Sequence, residues 1–257
     1  MKTSSKVEAQ FARKLAGKVA LVTGGSRGIG AAIAKRLAAD GTAVALTYSA
    51  SPAKADEVAR SIKAAGGKAL AIKADAADTE AVRLAIAKTI GAFGGIDILV
   101  NNAGVGIIAP IEQFSLEDFD KLIAVNVRGL FVATQEAARH MREGGRIIHI
   151  GSTNSERMPF IGGSVYALTK AAVAGFTKGV ARDLGPRGIT VNNVQPGPID
   201  TDTNPADSDF AKSLVPITAL ERYGNTDEIA SFVAFLASSE ASYITGASLL
   251  ADGGFAA

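Results

Sequence analysis

Leu21 to Gly30, Leu-Val-Thr-Gly-Gly-Ser-Arg-Gly-Ile-Gly, is the stretch that most limits what this chain can fold into. It follows an apolar β-like run, Val19 to Val22, and opens a helical run, Ala31 to Ala39. Strand, glycine-rich turn and helix make the context in which a glycine motif means phosphate binding. Glycines at 24, 28 and 30 let the backbone bend sharply and approach a pyrophosphate with no β-carbon in the way. The N–H groups at the helix start, with the helix dipole, then favour negative charge. The spacing is G-x-x-x-G-x-G, not the G-x-G-x-x-G of the commoner dinucleotide fingerprint. The same glycines would also serve tight strand-to-helix packing. On the phosphate reading, Gly24, Ser26, Arg27, Gly28, Ile29 and Gly30 form the cradle.

The rest of the chain alternates in the same way. Strands are expected at 43–48, 68–74, 96–100, 146–150, 189–195 and 247–251. Helices are expected from Ser51-Pro52 to Ala65, Asp78 to Phe93, Ser115 to Arg142, Ser164 to Leu184 and Asp227 to Ser238. Asp78 and Ser115 suit N-caps, and Ser51-Pro52 an N-cap and first helical residue. Alternation with uniformly apolar strands implies an α/β fold, a doubly wound parallel sheet of about seven strands covered on both faces. Residues 1–16 read as a tail and 17–257 as one Rossmann-type domain; no repeat or composition break marks a second.

Ligands in such sheets sit beyond the carboxyl ends of the strands, where the strand order reverses. The segments at those ends hold most of the unusual polar residues: the glycine turn, Thr47 to Ala50, Asp75-Ala76, Asn101 to Pro110, Gly151 to Ser164 and Pro196 to Thr203. That clustering marks a site. A net charge of +2 without a Lys/Arg block gives no reason to expect nucleic acid. With no cysteine and only His140 and His149, neither a thiol nucleophile nor a metal site is expected. His149 lies among Ile147, Ile148 and Ile150, which reads as a buried, hydrogen-bonded histidine. Glu136 and Glu143 interleave with Arg139, Arg142 and Arg146, which reads as a solvated face and not a patch for an acidic acyl-carrier partner. No apolar run reaches membrane-spanning length, and the start lacks the apolar core of a signal peptide, so a cytoplasmic protein is expected.

Tyr166 and Lys170 fall one helical turn apart on one face. An ammonium beside a phenol favours the phenolate and suits the pair to exchange a proton with an alcohol or carbonyl oxygen. Ser152, just past the fifth strand, could hold the same oxygen. Alone, such a pair also describes a surface tyrosine beside a solvated lysine. Thr23-Gly24-x-x-x-Gly28-x-Gly30, Asn101-Asn102-Ala103-Gly104, Ser152, Tyr166-x-x-x-Lys170 and Pro196-Gly197 occur in one order at fitting separations. Together they resemble the short-chain dehydrogenase/reductase family, in particular its single-domain members such as 3-oxoacyl-[acyl-carrier-protein] reductases. The resemblance covers residues 16–257.

It implies a set of roles. Asn126 would support a water in a proton relay from Lys170. Ser152 would orient the substrate oxygen, Tyr166 would pass its proton, and Lys170 would hold the nicotinamide ribose. Asp75 and Ala76 would flank adenine, Asn102 would approach the adenosine ribose with Ala103 and Gly104 beside it, and Pro196, Gly197, Ile199 and Thr201 would meet the nicotinamide end. Tyr48 and Ser49 end the second strand without the carboxylate that would select NADH, and Arg27 is placed for a 2′-phosphate, so NADP(H) is the expected cofactor. The expected reaction is carbonyl reduction of a small ketone, with oxidation of an alcohol as the reverse use. Apolar loop residues (Val105, Ile107, Ile108, Met158, Phe160, Leu214, Val215) suit a hydrophobic ketone or ketoester. A homotetramer is implied by the family. Residues 154–159 with 195–202 also look similar to a cyclic-di-GMP-binding branch of the family, which keeps a regulatory binding protein as the rival reading.

Overall fold

In the computed structural model, which describes residues 14–257, seven parallel strands form one sheet in the order β3-β2-β1-β4-β5-β6-β7. The strands are β1 (Val19–Val22), β2 (Ala43–Tyr48), β3 (Ala69–Lys73), β4 (Ile98–Asn101), β5 (Arg146–Ile150), β6 (Thr190–Pro196) and β7 (Ser248–Ala251). The helices are α1 (Gly28–Ala39), α2 (Pro52–Ala64), α3 (Thr79–Phe93), α4 (Leu116–Ile123), α5 (Leu130–His140), α6 (Ser164–Leu184), α7 (Asp209–Leu214) and α8 (Thr226–Ala237). Each expected strand is found, with ends shifted by at most two residues.

Alternate strand residues point to opposite faces, and both faces are apolar because both are covered. Ala20, Val22, Ile148 and Val194 pack with Ile33, Leu37, Val58 and Val233 under α1, α2 and α8. Leu21, Leu99, Ile147 and Val191 pack with Ile86, Val132 and Val180 under α3, α5 and α6. Helix ends follow the local chemistry. Asp78 accepts from Glu80 N and Ala81 N, and Ser115 Oγ from Asp118 N. Asn225 and Glu228 make a reciprocal capping box at α8, and Arg222 beside Glu228 holds its carboxyl down at about 2. Ser51 does not cap α2 through its side chain; Pro52 opens that helix.

Three sequence expectations need correction. The single helix expected over 115–142 is broken by a π-helical turn, Ala124–Gly129. There Asn126 bonds the backbone of Val105 with both ends of its amide, at 2.9 Å each, and a β-carbon on Gly129 would overlap Ala76 O. The helix also stops at His140, because Met141 turns extended and buries its side chain. Next, the stretch between the expected elements 189–195 and 227–238 carries a helix: Ser208 Oγ accepts from Ala211 N at 3.1 Å and caps α7, which buries Ala211 and Leu214. Finally, Arg146 is not on a solvated face. It is half-buried and donates to the carbonyls of Gly144, Gly145 and Ser238, whereas Arg139 does pair with Glu136 at the surface. Of the tail read over 1–16, residues 1–13 lie outside the described residues. Leu15 is 3% exposed, and its N–H donates to Asp40 O at 2.9 Å.

One row of polar side chains crosses the apolar sheet. Asn101, His149, Asn193 and Ser248 stand opposite one another on β4 to β7. Asn101 Nδ2 meets His149 Nδ1 at 3.1 Å and Thr134 Oγ1 at 2.9 Å, and Asn193 Nδ2 donates to Ser248 Oγ at 3.1 Å. Because Nδ1 accepts from an amide, the ring proton of neutral His149 belongs on Nε2. The ring lies 5.9 Å from that of Phe176 and is fully buried, which pushes its pKa down to about 3.

A depressed histidine costs stability in acid. The unfolded chain takes up the proton near pH 6.5 and the folded chain does not. This contribution is therefore complete above about pH 6.5 and is lost as pH falls toward about 3. His149→Gln, which keeps an acceptor for Asn101, is expected to remove a slope of at most about 1.4 kcal/mol per pH unit. Urea midpoints between pH 7 and pH 5 measure it, and parallel profiles for wild type and variant would refute it.

Candidate active site

The strand order reverses between β1 and β4, and a cleft of about 540 Å³ opens beyond their carboxyl ends. Its floor is the glycine turn. Gly24 has φ +64°, and a β-carbon there would lie 2.9 Å from Ala103 Cα. One on Gly30 would overlap Gly24 O and Asn102 Nδ2. The turn is held by side chains at or just past the ends of three strands: Thr47 Oγ1 accepts from Gly24 N, Thr23 Oγ1 accepts from the N–H groups of Asn102 and Ala103, and Asn102 Nδ2 donates to the carbonyls of Thr23 and Gly24. Arg27, at the α1 N-cap, makes no capping bond through its side chain. The first-turn N–H groups therefore remain available to an anion.

All the cofactor residues named from the sequence line this cleft. They are Gly24, Ser26, Arg27, Gly28, Ile29 and Gly30 on the floor; Tyr48, Ser49, Asp75 and Ala76 along one wall; Asn102, Ala103 and Gly104 at the middle; and Tyr166, Lys170, Pro196, Gly197, Ile199 and Thr201 at the far end, with Ser152. Asn126 does not line it. It is 2% exposed behind Gly104, bonded to Val105 and to Thr169 Oγ1 at 3.2 Å. A β-carbon on Gly104 would come within 3.5 Å of Asn126 Oδ1 and 3.6 Å of Lys170 Nζ.

Lys170 is 6% exposed, with Nζ donating to Ile150 O at 2.9 Å and lying 5.6 Å from the centre of the Tyr166 ring. Its ammonium is thus held by the end of β5 beside the phenol. Ser152 lies two residues past the end of the same strand and, 6% exposed, bonds Asn154. Next to Thr201, Asp202 lines the cleft and pairs with Lys54 at 2.6 Å. That bond, and then the attraction of Lys54 and Arg27, holds the Asp202 carboxyl below its ordinary value.

No role at the site follows from the sequence for Thr23, Thr47, Asn154, Asp202 or Asp252. Each acts through a partner far along the chain or through a turn whose shape the sequence does not spell out. Asp252, for example, accepts from Thr153 Oγ1 at 3.0 Å, ninety-nine positions away. Leu214, expected at a pocket wall, packs instead with Ala211, Tyr223 and Phe255 in a small third core, with Val215 and Phe160 against it. No group of three or more metal-ligating side chains occurs among the described residues, and no described helix is long and apolar enough to cross a membrane.

Residues 24–256 match a family profile described as enoyl-(acyl carrier protein) reductase. A short-chain dehydrogenase/reductase from Serratia marcescens is 61% identical, with a TM-score of 0.94 over 95% of this chain and 100% of that one. A short chain dehydrogenase from Burkholderia cenocepacia, solved in complex with NADP, is 53% identical, with a TM-score of 0.94 over 95% of this chain and 100% of that one. The cyclic-di-GMP-binding biofilm dispersal mediator protein of Escherichia coli is 46% identical over 241 residues, 94% of this chain and 98% of its own.

Proposed function

The chain belongs to the short-chain dehydrogenase/reductase family of oxidoreductases, and from that premise we propose that it is an NADPH-dependent carbonyl reductase with Tyr166 as general acid/base. The observation that carries this is the placing of Tyr166, Lys170 and Ser152 at one end of the cleft whose floor is the glycine turn. The cofactor, when bound, supplies the hydride. The chain's own residues do the rest. The first-turn N–H groups of α1 and Arg27 hold phosphate. Gly104, lacking a β-carbon, leaves room beside Lys170. Tyr166 gives a proton to the oxygen that becomes a hydroxyl, and the Lys170 ammonium stabilises the phenolate left behind. The NADP complex of the 53% identical Burkholderia protein supports the cofactor assignment. Alcohol oxidation is the same chemistry reversed.

Of the apolar loop residues expected around the substrate, Val105 lines the cleft, and it supports an apolar ketone or ketoester as substrate. NADPH oxidation with cyclohexanone, acetophenone and ethyl acetoacetate, beside calorimetry with cyclic-di-GMP, tests the reading. The second ligand is included because the Escherichia coli relative carries that name. Turnover of a panel ketone supports the reductase. Tight cyclic-di-GMP binding without turnover would replace it with a regulatory protein.

Residues 200–220 are expected to order over bound substrate. The segment sits at the strand ends where lids act, and exposed Phe210 and Leu220 would gain cover there. Amide exchange in it should slow when NADPH and the best panel ketone are added. Equal exchange in both states would exclude a lid.

A further inference from the structure

Asp252 directly follows β7, and both its carboxylate oxygens are engaged. Oδ2 accepts from Thr153 Oγ1 and from Ala256 N, and Oδ1 accepts from Gly254 N, each at 3.0 Å. The two backbone donors fix the carboxylate on its own turn, so it meets Thr153 as a rigid acceptor. Thr153 is 1% exposed and adjoins Ser152. The bond between them joins the ends of β5 and β7, which have β6 between them. At the end of β6, Gly197 packs on the same residue: a β-carbon there would lie 2.6 Å from Asp252 Cα, and Gly197 N donates to Ala251 O at 3.2 Å. The far end of the Ser152 turn is tied separately. Gln195 Nε2 donates to Ser155 Oγ and Glu156 Oε1, and Arg157 donates to Phe255 O. Losing the Thr153 bond would therefore loosen the end at Ser152 and leave the turn in place.

Asp252 thus touches both halves of the reaction. On the carbonyl-reductase reading, on which this rests, Ser152 meets the substrate oxygen and the Pro196–Gly197 turn meets the nicotinamide. We infer that Asp252 is a positioning residue that sets the Ser152 turn against the nicotinamide turn, and so fixes the reacting oxygen relative to the hydride donor. Hydride transfer is the step most sensitive to such a lock, since a misplacement of about 1 Å costs about 100-fold. Cofactor binding draws on the whole cleft and is expected to be spared.

Thr153→Val keeps the shape of the side chain and removes only the hydroxyl. It should lower kcat for the best panel ketone about 10- to 100-fold, with NADPH affinity retained. The deuterium isotope effect on kcat, from NADPH deuterated at nicotinamide C4, should be no smaller than in wild type, because hydride transfer is the step that slows. Thr153→Ser keeps the hydroxyl and should restore most of the lost kcat. In a Ser152→Ala background, and in an Asp252→Ala background, Thr153→Val should leave kcat unmoved, because the group positioned or the acceptor is gone. If Thr153→Val fails to fold, Thr153→Ala takes its place. A loss that Thr153→Ser repairs and that both backgrounds abolish supports the inference. An unmoved kcat, an equal loss in Thr153→Ser, a smaller isotope effect, a matching loss of NADPH affinity, or a loss that persists in either background overturns it, whatever happens to Tm. A wild type that reduces none of the panel ketones removes the reductase reading and this inference together; an active wild type whose kcat survives Thr153→Val removes only the inference.

Discussion

Replacing Tyr166 by phenylalanine is expected to lower turnover about 10²- to 10⁴-fold, the usual worth of a positioned acid/base, with fold and cofactor affinity retained. The ring stays in place because its packing does not involve the hydroxyl: Gly106 lies against its edge, where a β-carbon would sit 3.8 Å from Cε2. Lys170 stays because Ile150 O holds it. What is lost is the proton, and with it the reason for a buried ammonium beside a phenol. The measurement is kcat with the best panel ketone, beside NADPH affinity by fluorescence titration. Turnover near wild type would take Tyr166 out of the chemistry, and a matching loss of NADPH affinity would show that the residue serves binding instead.

A preference for NADPH over NADH of about 10- to 150-fold in kcat/KM is expected, the equivalent of one charge-assisted bond to the 2′-phosphate. The wall at the end of β2 reads Thr47-Tyr48-Ser49-Ala50, with no carboxylate to bind a free ribose hydroxyl or repel a phosphate. Arg27 is exposed on the cleft floor, and the nearby negative charge, Asp202, is paired with Lys54. Arg27→Ala should erase most of the preference. Ser49→Asp should weaken NADPH use and spare NADH. A wild type that favours NADH, or an Arg27→Ala enzyme with its preference intact, would remove the assignment.

What the sequence made legible followed from local rules. The glycine turn, the strand runs and the Tyr166/Lys170 spacing each depend on residues within a turn or a strand of one another, so pattern sufficed. The doubly wound parallel sheet also followed, since alternating strands and helices with apolar strands leave few alternatives. What stayed hidden depends on distant partners. The π-helical turn at Ala124–Gly129 exists because Asn126 reaches Val105 and Gly129 meets Ala76, and nothing in a 3.6-residue period announces it. Helix α7 was hidden by composition, since Pro, Asp and Thr on either side of it read as loop. Arg146 looked like surface because charge usually is, yet three carbonyls claim it. The Ser152–Asn154 bond needed the shape of a short turn fixed by Asp252 and Gln195, which lie far away in sequence.

The polar row Asn101, His149, Asn193 and Ser248 has a consequence for how the strands find each other. Strands made only of Val, Ile, Leu and Ala are nearly interchangeable with themselves slid along, because every offset buries similar surface. A slip of one residue would send this row to the opposite face, and a slip of two would part Asn101 from His149 and Asn193 from Ser248. Either would strand a buried amide or imidazole without its partner, at roughly 1–3 kcal/mol for each group. The row thus works as an address: it tells β4, β5, β6 and β7 which offset is theirs, just below the ends that carry Ser152 and Asn102.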